Sequence, residues 1–481
     1  MKEQIIEYVR TQLSRNRARL RPYVFPNPEK EWKYPSRYAY IKIKKYISDI
    51  LLEKEANQKR WVIIPGMSGT GKTTILAQLY FEFFNKIKPN RIIYISMEDV
   101  YLLGATLKDV IDAYEMILGE SFESTQTPTV IFIDEVHRDK DWANTITSLY
   151  NRSSKIISIC SGSSAVSLQI NASDIGRRAI FEKLYPLNFC EFLMIKKNKF
   201  PTPKLKESLK DAFYNSSSAQ EVYKKLKGVE KMVNLYWANV EESDIDQFLS
   251  IGTLPYAITI KDKGEVFRGL DVQLDKIIQK DIRELGTLDN NTVDSIKRLL
   301  FLLADSDQTA VSNLGGALGL TRPTVESVLD VLTKAELIIK IQANGSAEKK
   351  TRQPSKFLFM SPAVRMTLLD VTGIESTYLG RKGKLLEDIA GLHFYREFIS
   401  TKNGNVVYDS SKNGADFILK IENKKQVVIE IGNGHKDTKQ VENTMQRNKS
   451  DYGIVVCERK EITLIEEKNI VMVPKEFFLS M

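Results

Sequence analysis

Apolar and polar residues change period several times along this chain, and each change predicts an element. Residues 2–20 read as helix, and residues 38–56 as a second helix with Ile41, Ile43, Ile47, Ile50 and Leu51 as candidate buried positions. Prolines at 22, 26, 28 and 35 predict an extended connection over residues 22–36. The pattern then shortens. Stretches 62–64, 91–96, 129–133 and 155–160 are compact apolar or β-branched runs, with helical patterns at 75–80 and 107–118 among them. Such an alternation predicts a parallel sheet covered on both faces, whose ligands sit at the carboxyl ends of the strands.

The later half is patterned differently. Residues 196–250 are lysine-rich and helical in tone, with Lys196, Lys197, Lys224, Lys225 and Lys227, and predict a lid or spacer whose lysines form a solvated face. Val293, Ile296, Leu299, Leu300 and Leu303 form a helical stripe. A short helix follows at 314–318, then a turn at Gly319-Leu320-Thr321. Thr321 can cap the next helix, Pro323 is tolerated in its first turn, and Val325, Val328, Leu329 and Leu332 face inward. Residues 338–341 and 357–359 predict a hairpin around Lys349, Lys350 and Arg352. This unit is similar to winged-helix domains. In a DNA-binding mode Arg322, Thr324 and Ser327 would face the groove and the wing lysines the phosphates, although Glu326 and Asp330 share that face and would repel phosphate.

Composition adds bounds. With 481 residues, 42% hydrophobic and 27% charged, the chain has enough apolar residues for two to four cored domains. No apolar run approaches the roughly 18 residues that span a bilayer, and the start has no signal-peptide core, so no membrane association and a cytoplasmic location are expected. Cys160, Cys190 and Cys457 are unpatterned, and His137, His393 and His435 are scattered, which indicates neither a disulfide frame nor a zinc site. Of the net charge of +9, residues 1–60 hold an excess of 8, from 15 Lys+Arg against 7 Asp+Glu. That basic region suggests contact with a polyanion, and a solvated helical face is the plainer alternative.

The chemistry starts at Gly66-Met67-Ser68-Gly69-Thr70-Gly71-Lys72-Thr73, after the first short apolar run and before a helix. This is the full G-x-x-x-x-G-K-[ST] pattern of a phosphate-binding loop in its strand–loop–helix context. The glycines let successive N–H groups point inward as an anion nest, and the helix N-terminus adds its positive dipole end. Gly66, Ser68, Gly69, Thr70, Gly71, Lys72, Thr73 and Thr74 form the candidate nucleotide-binding set. Lys72 would reach the β- and γ-phosphates, and Thr73 and Asp134 would hold Mg²⁺. Glu135 would orient the attacking water, and Ser161 and Ser163 could sense the γ-phosphate, an ordinary turn being the competing account of those serines.

Phe132-Ile133-Asp134-Glu135-Val136-His137, Trp142 and Ser148-Leu149-Tyr150 resemble a prokaryotic AAA+ ATPase family. Ser161-Gly162-Ser163-Ser164, Gly176-Arg177-Arg178, the run from Leu184 to Leu193, Gly252-Thr253-Leu254-Pro255 and the run from Ile277 to Ile282 agree with it. The family joins an α/β P-loop core to a winged helix and a restriction-endonuclease-like domain. It usually has Gln where this chain has His137. The resemblance implies adenine rather than guanine, and an arginine at Arg177 or Arg178, from the same or a neighbouring subunit, that reaches the γ-phosphate with a bidentate guanidinium.

Residues 384–481 resemble the PD-(D/E)XK nuclease fold, with Glu387 on a helix, Asp416 in one strand and Glu430 in the next. That resemblance implies a divalent metal shared by Asp416 and Glu430, with Glu387 nearby. The nuclease pattern wants lysine where this chain has Gly432. Lys436 or Lys439 could substitute, but a catalytically silent remnant is the favoured reading. The expected organisation is a basic helical region (1–56), an AAA+-like P-loop NTPase core (57–195), a helical lid (196–290), a winged helix (291–361) and a C-terminal α/β nuclease-like domain (362–481). The expected function is an ATP-binding and ATP-hydrolysing, Mg-dependent switch. The alternatives are an ATP-gated DNA nuclease and an ATP-regulated module that binds DNA or a protein partner, with oligomerisation open.

Overall fold

A computed structural model describes residues 2–26, 33–52, 59–162, 177–282, 288–306, 311–346, 348, 352–370, 377–421 and 425–481. Pro28, Ser163, Ser164, Gly176, Lys349, Lys350 and the end of the predicted helix beyond residue 52 lie outside the described residues. The chain divides into two units, Met1–Tyr185 and Pro186–Met481.

In the first unit, strands β1 (Trp61–Pro65), β2 (Ile92–Ser96), β3 (Thr129–Asp134), β4 (Ile156–Gly162) and β5 (Ala179–Phe181) form one sheet in the order β2-β3-β4-β1-β5. Every pairing in it is parallel. The helices are α1 (Lys2–Val24), α2 (Tyr38–Leu51), α3 (Lys72–Phe84), α4 (Met97–Leu102), α5 (Leu107–Leu118) and α6 (Trp142–Arg152). The continuous apolar strands are explained by burial on both faces. Side chains alternate across a strand, so Ile63, Ile93, Ile131 and Ile133 face one core, while Val62, Ile64, Val130 and Phe132 face the other.

The N-terminal helices belong to these same cores. Ile5 and Val9 of α1 pack on the first face, and Leu20 and Val24 on the second with Tyr40, Ile43 and Ile47 of α2. This burial carries α1 through Pro22, where the sequence predicts an extended connection: Leu20 and Val24, both buried, anchor the last turn. Ile41, a candidate core position, is instead 56% exposed, because the buried stripe of α2 runs through Ala39, Tyr40, Ile43 and Ile47. Much of the basic excess is also engaged locally. Arg19 pairs with Asp99, Lys44 with Glu82 at 2.9 Å, and Arg17 and Arg21 lie over the rings of Phe84 and Phe25.

The second unit opens with helices α7 (Phe189–Lys197), α8 (Leu205–Tyr214), α9 (Ala219–Trp237) and α10 (Lys263–Lys276). Then come α11 (Asn290–Asp305), α12 (Val311–Leu318) and α13 (Arg322–Lys334), followed by the antiparallel pair β6 (Ile338–Ala343) and β7 (Lys356–Phe359). Thr321 caps α13, its side chain accepting from the Thr324 N–H with Pro323 in the first turn. After α14 (Pro362–Asp370) and α15 (Thr377–Phe394), the chain adds β8 (Gly404–Tyr408), β9 (Phe417–Ile421), β10 (Gln426–Ile431), α16 (Lys439–Asn448), β11 (Tyr452–Cys457), β12 (Thr463–Ile465) and β13 (Ile470–Pro474). Together with the hairpin these strands make a sheet in the order β12-β13-β11-β10-β9-β8-β6-β7. A fully buried Arg365–Asp388 pair ties α14 to α15. Arg365 also donates to the Ala304 carbonyl at 2.8 Å, and Asp388 accepts from the Phe359 N–H at 2.9 Å, which fixes α15 against β7. Among the described residues no helix is long and apolar enough to cross a membrane.

Candidate functional site

The phosphate-loop residues converge at the carboxyl ends of β1, β3 and β4, where the strand pattern places ligands. Gly69 and Gly71 hold φ of 81° and 90°, the left-handed region in which a Cβ costs roughly 1–2 kcal/mol. Gly66 is required for a different reason: a Cβ there would meet the Leu184 carbonyl oxygen at 2.2 Å. Thr70 closes the loop, its hydroxyl donating to the Met67 carbonyl at 2.8 Å. Ser68 and Thr74 are half-buried, in the loop and the first turn of α3. Lys72 is buried, and its Nζ donates to the carbonyls of Gly66 at 2.9 Å and Met67 at 3.1 Å. The ammonium therefore lies over its own loop.

Opposite the loop, Asp134 ends β3 and collects neutral donors. The hydroxyls of Thr73 (2.7 Å) and Tyr94 (2.8 Å) reach its Oδ2, and Ser161 donates to its Oδ1. Burial, and then the Asp134 charge, push the Tyr94 phenol far above its ordinary range, so it stays a donor. Glu135, the next residue, takes a left-handed backbone (φ 55°) and is half-buried. His137, where the resembled family usually has Gln, lies with Nε2 3.5 Å from Glu135 Oε2. Thr73, the neighbour of Lys72 in the chain, is thus bonded to Asp134, which Glu135 follows. Ser161 is on hand too, but bonded to Asp134. Arg177, exposed, and Arg178, half-buried, sit in the turn leading into β5, the edge strand beside β1.

Two further residues shape this site. Arg37, buried, donates from Nη1 to the Thr70 carbonyl at 2.7 Å and from Nη2 to the Tyr185 carbonyl at 2.9 Å. It clamps the phosphate loop to the end of the first unit. Tyr94 was visible only as an aromatic in an apolar run. The one signal was its hydroxyl, which a buried position obliges to find a partner. A lone arginine after a proline gave no signal at all.

The second unit gathers the other candidate residues in a cavity of about 640 Å³ lined by Lys356, Lys384, Lys412, Lys436, Glu387 and Asp416, among others. Glu430 lies just beneath, its Oε2 accepting from the Asp416 N–H at 3.2 Å. Lys356, projecting from β7, is buried between two carboxylates: it pairs with Glu387 and, at 3.1 Å, with Asp416. Burial would lower this lysine's pKa, but Asp416 and Glu387 outweigh it and drive it upward. Lys384 holds the other oxygen of Glu387 at 3.1 Å, and Lys436 holds Glu430 at 2.8 Å. Burial would raise Glu387, yet Lys356 and Lys384 hold it well below the carboxylate range. Glu430 goes the other way, raised to about 7 by burial and by Asp416. Lys439 faces solvent, 3.8 Å from Asp437. On α13, Arg322 Nε donates to Glu326 at 2.9 Å, so the exposed guanidinium is engaged by the acid that shares its face.

The AAA domain family matches residues 58–193, and a domain of unknown function, DUF8612, matches residues 242–375. The chain is 32% identical over 454 residues to the uncharacterized protein MJ1637 of Methanocaldococcus jannaschii, across 92% of this chain and 90% of that one. Among solved structures, the Walker-type ATPase PABY2304 of Pyrococcus abyssi is 12% identical with a TM-score of 0.39, covering 68% of this chain and 94% of its own. The Aeropyrum pernix ORC1 protein in complex with DNA is 11% identical with a TM-score of 0.32, covering 74% and 97%.

Proposed function

The chain belongs to the family of the Methanocaldococcus jannaschii protein MJ1637 and carries an AAA-type P-loop domain, and from that premise we propose that it binds ATP and hydrolyses it with magnesium to drive a change of state. One observation carries the reading: a glycine loop with a buried lysine stands beside an aspartate held only by hydroxyls among its described bonds. The residues fit the nucleotide and the ion. Gly69 and Gly71 hold the left-handed turns that let successive loop N–H groups converge on an anion.

Bound Mg-ATP would supply an electrophilic γ-phosphorus, and the ion would offset part of the negative charge on the phosphate oxygens. The loop N–H groups hold the phosphates, and Lys72 exchanges the carbonyls of Gly66 and Met67 for phosphate oxygens. Thr73 and Asp134 would hold the ion, with Tyr94 and Ser161 keeping the carboxylate aimed. Glu135 orients the water and receives its proton. Arg177 or Arg178 brings positive charge to the γ-phosphate, from this chain or from a neighbouring copy. Residues 196–290 are read as a helical lid and residues 362–481 as a nuclease-like α/β domain. Residues 291–361 are read as a winged helix, on the strength of three helices followed by an antiparallel hairpin.

Two variants test the reading. Lys72→Ala should abolish ATP binding by calorimetry. Glu135→Gln should keep binding while hydrolysis falls by roughly 10²–10⁴, the usual worth of a positioned base. Parent-like turnover in both would sink it.

A further inference from the structure

We propose that the charged cavity of the second unit is a binding site for a phosphate group that works without a divalent cation, Lys356 and Lys436 between them engaging the three carboxylates that the nuclease resemblance would give to a metal. The argument starts from position. Lys356 Nζ pairs with both Glu387 and Asp416, so the place between the two carboxylates already holds a positive charge. It is 4% exposed and comes from β7, a strand held in register by Phe357↔Lys340 and Leu358↔Ile339. Its reach is therefore built into the fold. Glu430 is likewise engaged, by Lys436. Among the described residues no three His, Cys, Asp or Glu side chains are grouped to hold a metal ion.

The position that the nuclease pattern gives to a lysine strengthens the case. A Cβ at Gly432 would lie 2.1 Å from Lys436 Cε and 2.9 Å from its Nζ. Glycine at 432 thus makes room for the stem of Lys436, which enters the cavity from the following loop. The lysine is not missing. It arrives from four residues further on.

The charge of the lining decides the sign of the ligand. Lys356, Lys384, Lys412 and Lys436 face Glu387 and Asp416 in the lining and Glu430 just beneath it, an excess of one positive charge with all three carboxylates ionised. A further divalent cation would be repelled. An anion would be attracted, and lysine ammonium groups suit phosphate as point charges. The cavity, about 640 Å³, is far larger than a phosphate, so it has room for a phosphate that remains attached to a larger molecule. Lys412, exposed at the rim, would make first contact.

The test uses the full chain carrying Lys72→Ala, which removes phosphate binding at the nucleotide loop, in buffer with EDTA. Calorimetry is run with inorganic phosphate in one arm. A second arm uses a short DNA oligonucleotide with and without a 5′-phosphate. Saturable binding in either arm, weakened tenfold or more by Lys412→Glu and again by Lys436→Gln, is the expected result, and the responding arm identifies the source of the phosphate. Lys412 is at the surface, so its variant should keep the parent's circular dichroism. The proposal is overturned if neither ligand binds, or if binding ignores both substitutions. It is equally overturned if, in a separate titration without EDTA, the Lys72→Ala protein binds Mn²⁺ at a site that Asp416→Asn abolishes.

Discussion

The two charged sites of this protein are built on opposite plans. In the first unit, Asp134 is surrounded by the hydroxyls of Thr73, Tyr94 and Ser161. In the second, Glu387, Asp416 and Glu430 each meet a lysine within ion-pair distance. Neutral hydroxyls orient a carboxylate without cancelling its charge, so a cation can still gain by binding there. A lysine cancels the charge and takes the place. The first arrangement leaves the carboxylate charged and able to gain from a cation, as the proposed function requires. The second has its cation built into the chain, and the lysine excess around the cavity rim is left to act on something negative.

The sharpest way to break this contrast is to empty the second site. Lys356→Met leaves Glu387 and Asp416 buried without their shared partner, and breaking a buried ion pair on one side typically costs about 3–5 kcal/mol. Chemical denaturation should show a loss of that size. The same variant should gain a binding site for Mn²⁺, visible by calorimetry, that the parent lacks. A loss near zero would mean that Glu387 and Asp416 do not depend on Lys356 for their burial. Next in size is Asp134→Asn. It removes the charge and turns one accepting oxygen into an amide donor, so at least one hydroxyl contact must reverse or break, and ATP hydrolysis should fall by about 10²-fold or more. An unaltered rate would remove Asp134 from the ion's coordination.

How much of this was legible in advance follows from the distance between partners. The phosphate loop is local: its glycines, Lys72 and Thr73 are read from one short stretch, and Asp134 follows from an apolar strand ending in an acid. The residues that refine that site are not local. Tyr94 meets Asp134 across 40 positions, and Arg37 meets Thr70 across 33. Both depend on strand register or on a helix-capping segment that no pattern encodes. Lys356 lies 60 residues from Asp416 and in what the sequence presents only as a wing strand. Lys436 was one of two lysines in reach, and only the loop geometry chooses it over Lys439. Pro22 and Ile41 misled for one reason: local rules gave way to how α1 and α2 pack on the sheet.

A smaller effect should come from pH. The Glu430 carboxyl is raised to about 7 in the folded chain, against 4.5 ordinarily, by burial and by Asp416. The folded state therefore holds a proton that the unfolded chain releases between those values. The resulting stability is fully present below pH 4.5 and is lost as pH rises through 7. Glu430→Gln has no such proton to lose. Denaturation midpoints measured from pH 5 to pH 8 should decline less steeply in the variant, by on the order of 1–2 kcal/mol across the range. Parallel profiles would show that Lys436 compensates the charge completely.

Tyr94→Phe should have the smallest consequence, and it probes the first plan most finely. The phenol donates to the same oxygen of Asp134 as Thr73 does. Removing it leaves the carboxylate held by Thr73 and Ser161, and the ring still fills its place in the core with Val130 and Phe132. A hydrogen bond to a charged group is worth roughly 1.5–3 kcal/mol, and part of that returns here because Thr73 and Ser161 still hold the carboxylate. Stability without nucleotide should therefore fall by about 1 kcal/mol, while hydrolysis with saturating Mg-ATP stays within a few-fold of the parent. A loss of rate as large as that of Asp134→Asn would give a different account of the site. The hydroxyls would then be part of the catalytic arrangement, rather than neutral supports that keep a charged place open for an incoming ion.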